Sequence, residues 1–241
     1  MHQGKLRKGL RMLGELKDKA VAESVKDWHL AYGILKRGYI YQGILNDQKS
    51  AIAENEKVIE IMKDINLNSW MVANARGAIA ISYAQSGDMR RADRLMAELK
   101  KDIGIYGPSA IINYQNWIGR LEMEKGNYDT AAVLFEKSFK INPLFLFREL
   151  LGRSYLGAGQ IDEALMIYEK IINRYTLNRT YWPTISVITH FYLGRTYEEA
   201  GRSIEAIEQY ETFLDIWRDA DDGIEMIEDA KGRLARLRSK L

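Results

Sequence analysis

The chain has 241 residues, 46% apolar and 28% charged, enough to bury a sizeable core. Thirty-five Lys and Arg stand against 33 Asp and Glu, and a net charge of +2 gives no overall basic field of the kind that drives nucleic-acid or anionic-membrane binding. With no cysteine there can be no disulfide, thiolate metal site or cysteine nucleophile, and with no apolar run near about 18 residues there is no membrane span or signal-peptide core; a cytoplasmic location is expected.

Prolines occur only at 108, 143 and 183, and between them apolar residues recur at i, i+3, i+4 and i+7, which predicts an all-α chain. Within residues 1–27, positions 5–26 form an amphipathic helix on Leu6, Leu10 and Leu13. Residues 28–68 read as a degenerate helical hairpin, with Asn46 at the turn and Ala51 as the small contact residue. A glycine followed five residues later by alanine then recurs four times, as Gly87 and Ala92, Gly126 and Ala131, Gly159 and Ala164, and Gly201 and Ala206. Glycine suits the left-handed residue that ends one helix, and the alanine lets the next helix approach closely. These marks predict hairpins over 69–107, 108–142, 143–182 and 183–218. Residues 219–241 form a capping helix with Ile224, Ile227, Ala230, Leu234 and Leu237 on one face, acids in its first turn and Arg236 and Arg238 in its last.

Around the glycines the pattern repeats further. Ile79, Ile118, Leu151 and Leu193 lie eight residues before them, each followed by a small residue, and Met96, Phe135, Tyr168 and Tyr210 lie nine after them. This resembles the tetratricopeptide repeat, a two-helix unit of about 34 residues. Tyr83, Tyr155 and Tyr197 fill another of its large positions, and Pro143 its terminal proline. The family's tryptophan is replaced by Arg76, Gln115, Arg148 and His190, and turn spacings of 39, 33 and 42 residues lengthen the connections at 101–108 and 173–183. The resemblance implies one right-handed superhelical solenoid over 1–241, with about five hairpins and a helix at each end, and no Gly-, Pro- or Ser-rich linker divides it.

Chemistry-bearing motifs are missing. The glycines are spaced for helix packing and form no phosphate loop or dinucleotide turn. The acidic run 219–229 places Gly223 where a calcium loop needs a ligand, so its acids are better read as the start of a helix. His2, His29 and His190 are too dispersed for a metal pair, and no serine sits in a nucleophile-elbow context. No enzyme activity, cofactor or metal is expected. Most of the aromatic residues fall at helical core spacing rather than forming nucleic-acid stacking platforms.

In tetratricopeptide proteins the first helix of each hairpin lines a groove that binds peptides. The resemblance places Asn113, Asn116, Arg120, Glu149, Arg153, Phe191 and Arg195 on that wall. Arg120, Arg153 and Arg195 occupy one repeat position, where three planar guanidinium groups would accept an acidic segment or a C-terminal carboxylate. The structural alternative pairs them with Glu124, Glu149 and Glu199, each four residues away on the same helix. The expected function is a non-catalytic scaffold or adaptor binding a protein or peptide. Alternatives are a sensor or regulatory module of a larger signalling protein, such as a kinase or transcriptional regulator, and more remotely an enzyme with a site in the groove.

Overall fold

The computed structural model describes residues 5–22, 28–65, 70–106, 108–141, 145–173 and 183–240. Twelve α-helices occur among them: α1 (Leu6–Ala22), α2 (Trp28–Gly43), α3 (Gln48–Ile65), α4 (Trp70–Gln85), α5 (Met89–Asp102), α6 (Pro108–Glu124), α7 (Tyr128–Ile141), α8 (Phe145–Gly157), α9 (Ile161–Asn173), α10 (Pro183–Glu199), α11 (Ser203–Ile216) and α12 (Glu225–Arg238). No described segment is a strand, so the fold is the all-helical repeat array that the periodicity predicts. None of these helices is long and apolar enough to cross a membrane. The long connection at 101–108 is taken up by the end of α5 and a 3-10 turn over Ile103–Tyr106, whereas most of 173–183, Pro143 and the end of the first predicted helix lie outside the described residues.

The helices gather into two compact units, Arg7–Lys125 and Gly126–Leu241. In the Arg7–Lys125 unit, α4 packs against α2, α3, α5 and α6. Eleven of its 16 residues are buried, so it is apolar around most of its circumference rather than along one stripe. One side of α4 contributes Met71, Val72 and Ala75 to a core shared with Ala31, Ile34, Val58 and Met62. Another side contributes Ala73, Ala80 and Ile81 to a core with Ala92, Met96, Leu99 and Leu121. Within the Gly126–Leu241 unit, α10 has the same central position, packed against α8, α9 and α11. There Phe191, Tyr210, Phe213 and Trp217 join their rings at centroid separations of 5.1–6.1 Å.

The turns explain the repeated letters. Gly87, Gly126, Gly159 and Gly201 have φ of 73–87°, and Asn46 is the one non-glycine described residue with positive φ, at 53°. After α4, α8 and α10 the backbone closes in the same way: the glycine N–H donates to the carbonyl three residues back, and the following N–H to the carbonyl five back, as in Asp88 to Tyr83, Gln160 to Tyr155 and Arg202 to Tyr197. These bonds satisfy carbonyls that a helix end would otherwise leave without partners. The alanine five residues later is fully buried in every copy, at 51, 92, 131, 164 and 206.

Two further regularities set how the helices meet. A Cβ at Gly152 would stand 2.7 Å from the Tyr168 ring, and one at Gly194 would stand 2.8 Å from the Tyr210 ring. At the corresponding positions of the earlier hairpin, Ala80 and the slimmer Met96 lie buried in one core. Tyr155 on α8 donates to Glu136 on α7, and Tyr197 on α10 donates to Glu169 on α9, tying each hairpin to the one before. After α11, Glu211 accepts from Arg238 of α12. The helix α12 also covers the last core: Ile224, Ile227, Ala230, Leu234 and Leu237 are buried, and Arg233 bonds both Glu198 and Asp229.

Candidate functional site

The seven groove residues proposed from sequence fall in both units, and each unit treats its arginines differently. In the Arg7–Lys125 unit, Asn113 is half-buried and Asn116 buried on α6. Arg120 is only 8% exposed and donates from Nη2 to Gln42 Oε1 at 2.9 Å. Gln42 in turn donates to the Ala78 carbonyl and to Ser82 Oγ, both at 2.7 Å. The guanidinium also lies 4.7 Å from the Trp117 ring, whose Nε1 donates to Asn74. Arg120 therefore ties α2, α4 and α6 together through a buried polar network, and Glu124 accepts from Gln85. Such a network specifies which helices meet because a missing partner leaves a buried polar group unsatisfied.

In the Gly126–Leu241 unit, Glu149 and Arg153 lie on α8 and Arg195 on α10, two helices that pack against each other. Glu149 is 1% exposed, and Arg153 Nε lies 3.9 Å from its Oε1, a loose ion pair. The Arg153 guanidinium also lies 5.0 Å from the Tyr192 ring, so it is half-buried over an aromatic face. Arg195 is half-buried and makes no ion pair or hydrogen bond among the described residues. Phe191 points into the core, 4% exposed and 5.2 Å from the Tyr192 ring in an edge contact.

Sequence reasoning identified Tyr168 as a packing residue and missed its electrostatic place. Its ring stacks on Tyr192 at 6.2 Å and 10°. Burial pushes its hydroxyl well above the usual tyrosine range; Glu149 and Tyr192 push the same way, while Arg153 and Arg195 oppose them. Arg195 acts in the same sense on Tyr210, whose pKa is raised by burial and by its bond to Glu198. A side chain that reaches the core from a second helix carries no groove signature in the sequence, so only the fold reveals this clustering.

Among the described residues Arg195 has no ion pair, whereas Arg153 has Glu149 Oε1 3.9 Å away. Planar guanidinium donors bind a carboxylate in a bidentate manner, and partial burial reduces screening by solvent. Elsewhere, polar side chains stand where the repeat ordinarily has tryptophan: Arg76 bonds Asp102 and Tyr106, Arg148 lies over Phe139, and His190 Nδ1 pairs with Gln209. Among the described residues no three His, Asp or Glu side chains are grouped to hold a metal ion.

Comparison with known proteins gives consistent family matches. Models of the tetratricopeptide repeat match residues 112–143 and 150–176. No curated protein matches the sequence. Among solved structures, a chain of the APC/C hetero-tetramer Cut9–Hcn1 superposes with a TM-score of 0.60 at 16% identity, over 99% of this chain and 41% of that one. The present chain thus spans about two fifths of that relative's length, and the likeness is one of fold. PilF of Pseudomonas aeruginosa has a TM-score of 0.49 at 15% identity, covering 88% of this chain and 90% of its own. YrrB, described as a TPR protein with an unusual peptide-binding site, has a TM-score of 0.47 at 16% identity, covering 90% and 97%.

Proposed function

Because the chain is a tetratricopeptide-repeat protein, with a fold that commonly mediates protein–protein interaction, we propose that it is a non-catalytic cytoplasmic adaptor holding an acidic protein segment or C-terminal carboxylate against α8 and α10. Arg195 carries this reading: it is a half-buried guanidinium with no ion pair among the described residues, on the helix packed against the one that carries Arg153, whose own carboxylate partner is 3.9 Å away. Arg153 and Arg195 grip the ligand. Arg120, engaged with Gln42, supports its own unit.

The reading is tested by calorimetric titration with an N-acetylated hexaglutamate peptide, with hexalysine as the control. Hexaglutamate binds and hexalysine does not. Replacing Arg153 and Arg195 with Gln weakens binding at least tenfold, about 1.4 kcal/mol, and leaves the thermal midpoint close to that of the parent. Affinity also falls between 50 and 500 mM salt as screening tightens. Equal affinity in the Arg153→Gln, Arg195→Gln variant overturns the proposal.

A further inference from the structure

In the Arg7–Lys125 unit, α1 and α2 flank a cavity of about 470 Å³. One wall is a single face of α1, because Arg7, Leu10, Arg11 and Gly14 recur at i, i+3, i+4 and i+7. The other wall carries Arg37 and Tyr41, one turn apart on α2. Arg7 and Arg11 are exposed, so the cavity opens to solvent, whereas Arg37 is only 8% exposed. The lining thus holds three guanidinium groups against one carboxylate, that of Asp47, which also accepts from the Ser50 N–H at the start of α3.

Arg37 is fixed in place before any ligand arrives. Its Nε and Nη2 donate to Glu54 at 3.0 and 3.2 Å, and Nη1 donates to the Leu10 carbonyl. A guanidinium has five N–H donors, so these three bonds leave two more on a group that lines the cavity. Gly14 permits the approach, since a Cβ there would stand 3.0 Å from Arg37 Nη1. Glu54 offsets the charge of Arg37, and Arg7 and Arg11 make the mouth positive. Between them lie apolar surfaces, the buried Leu10 and the half-buried Tyr41 and Leu45.

We propose that this cavity binds a small phosphorylated organic molecule, its phosphate held by Arg7, Arg11 and Arg37 and its body lying against Tyr41 and Leu45. The volume falls in the range of small-molecule sites, about 300–1,000 Å³. Two planar forks from α1 and the spare donors of Arg37 suit the three terminal oxygens of a phosphate better than the two of a carboxylate. All of these residues lie in the Arg7–Lys125 unit, so the proposal stands or falls separately from the reading of α8 and α10.

The test titrates the full chain calorimetrically with phenyl phosphate, inorganic phosphate and benzoate near neutral pH, and follows the Gly14 amide and Tyr41 ring by NMR. Phenyl phosphate is expected to bind more tightly than the other two and to shift both resonances. Arg7→Gln and Arg11→Gln, at exposed positions, should each weaken it about tenfold while melting close to the parent. Lys49→Gln, exposed on α3 and outside the cavity lining, should bind as the parent does. Benzoate binding as tightly as phenyl phosphate overturns the choice of phosphate, and inorganic phosphate binding as tightly overturns the organic ligand. No binding of phenyl phosphate, parent-like affinity in Arg7→Gln and Arg11→Gln, or unmoved Gly14 and Tyr41 resonances overturns the site.

Discussion

Replacing Gly152 with Ala should destabilise the protein although alanine is the better helix former, and the structure supplies the size of the conflict. The new Cβ would lie 2.7 and 2.8 Å from two atoms of the Tyr168 ring and 3.1 Å from Ile167 Cγ2, where ordinary contacts begin at 3.4 Å. Tyr168 is fully buried, so its ring cannot swing into solvent to make room. Overpacking of this kind costs about 1–3 kcal/mol, against a gain of about 1 kcal/mol in helix propensity, leaving a net loss of up to about 2 kcal/mol. Gly232→Ala is the control, because its nearest neighbour would be Arg236 Nη1 at 3.7 Å, and it should stabilise by up to about 1 kcal/mol. Adding Tyr168→Met to Gly152→Ala recreates the combination of Ala80 and Met96 and should recover part of the loss, a coupling of about 1 kcal/mol or more. Thermal and urea unfolding of the parent, Gly152→Ala, Tyr168→Met and the double variant measure the cycle, with Gly232→Ala alongside. If Gly152→Ala stabilises as much as Gly232→Ala, or the cycle shows no coupling, the packing argument is wrong.

Deleting residues 223–241 should lower the unfolding midpoint and cause aggregation, because α12 covers a core that includes Phe213 and Trp217; a truncated protein that melts and sediments like the parent would count against a capping role. Asn46→Ala should cost about 1–2 kcal/mol because φ is 53°, whereas Asn46→Gly should be near neutral, and equal denaturation midpoints would deny that the turn conformation matters. In alkali, Tyr197 gives a signed prediction: burial, then its hydrogen bond to Glu169, pushes its pKa up to about 12, whereas an unfolded tyrosine titrates near pH 10. The folded chain therefore keeps a proton that the unfolded chain releases, so this contribution is whole below pH 10 and is lost as pH rises through about 12. Tyr197→Phe should flatten the fall in stability across that window, as read by pH-dependent unfolding.

The backbone plan was legible because it depends on local chemistry. A glycine at a positive φ and a buried alanine five residues on are requirements of one turn and one contact, so the Gly–Ala marks located the turns after α4, α8 and α10. Asn46 was legible for the same reason, as the residue best able to replace glycine in that conformation. The partners of the arginines were not legible. Arg120 meets Gln42, 78 positions earlier, and Arg37 is buried against Glu54 and the Leu10 carbonyl. Repeat register gives a side chain its face on a helix, but its partners depend on which other helices pass that face. Glu149 and Arg153 are an i,i+4 pair in the sequence and in the structure, yet their separation of 3.9 Å and the burial of Glu149 belong to the folded chain and not to the spacing.

The central claim is that α8 and α10 form the ligand face of the Gly126–Leu241 unit. Backbone and side-chain NMR shifts recorded while hexaglutamate is added test this directly. The account predicts the largest changes at Arg153, Tyr192 and Arg195, with little change at Met166 on α9 and Ile204 on α11, both exposed. Changes centred on Met166 or Ile204, or no saturable change at all, would contradict it.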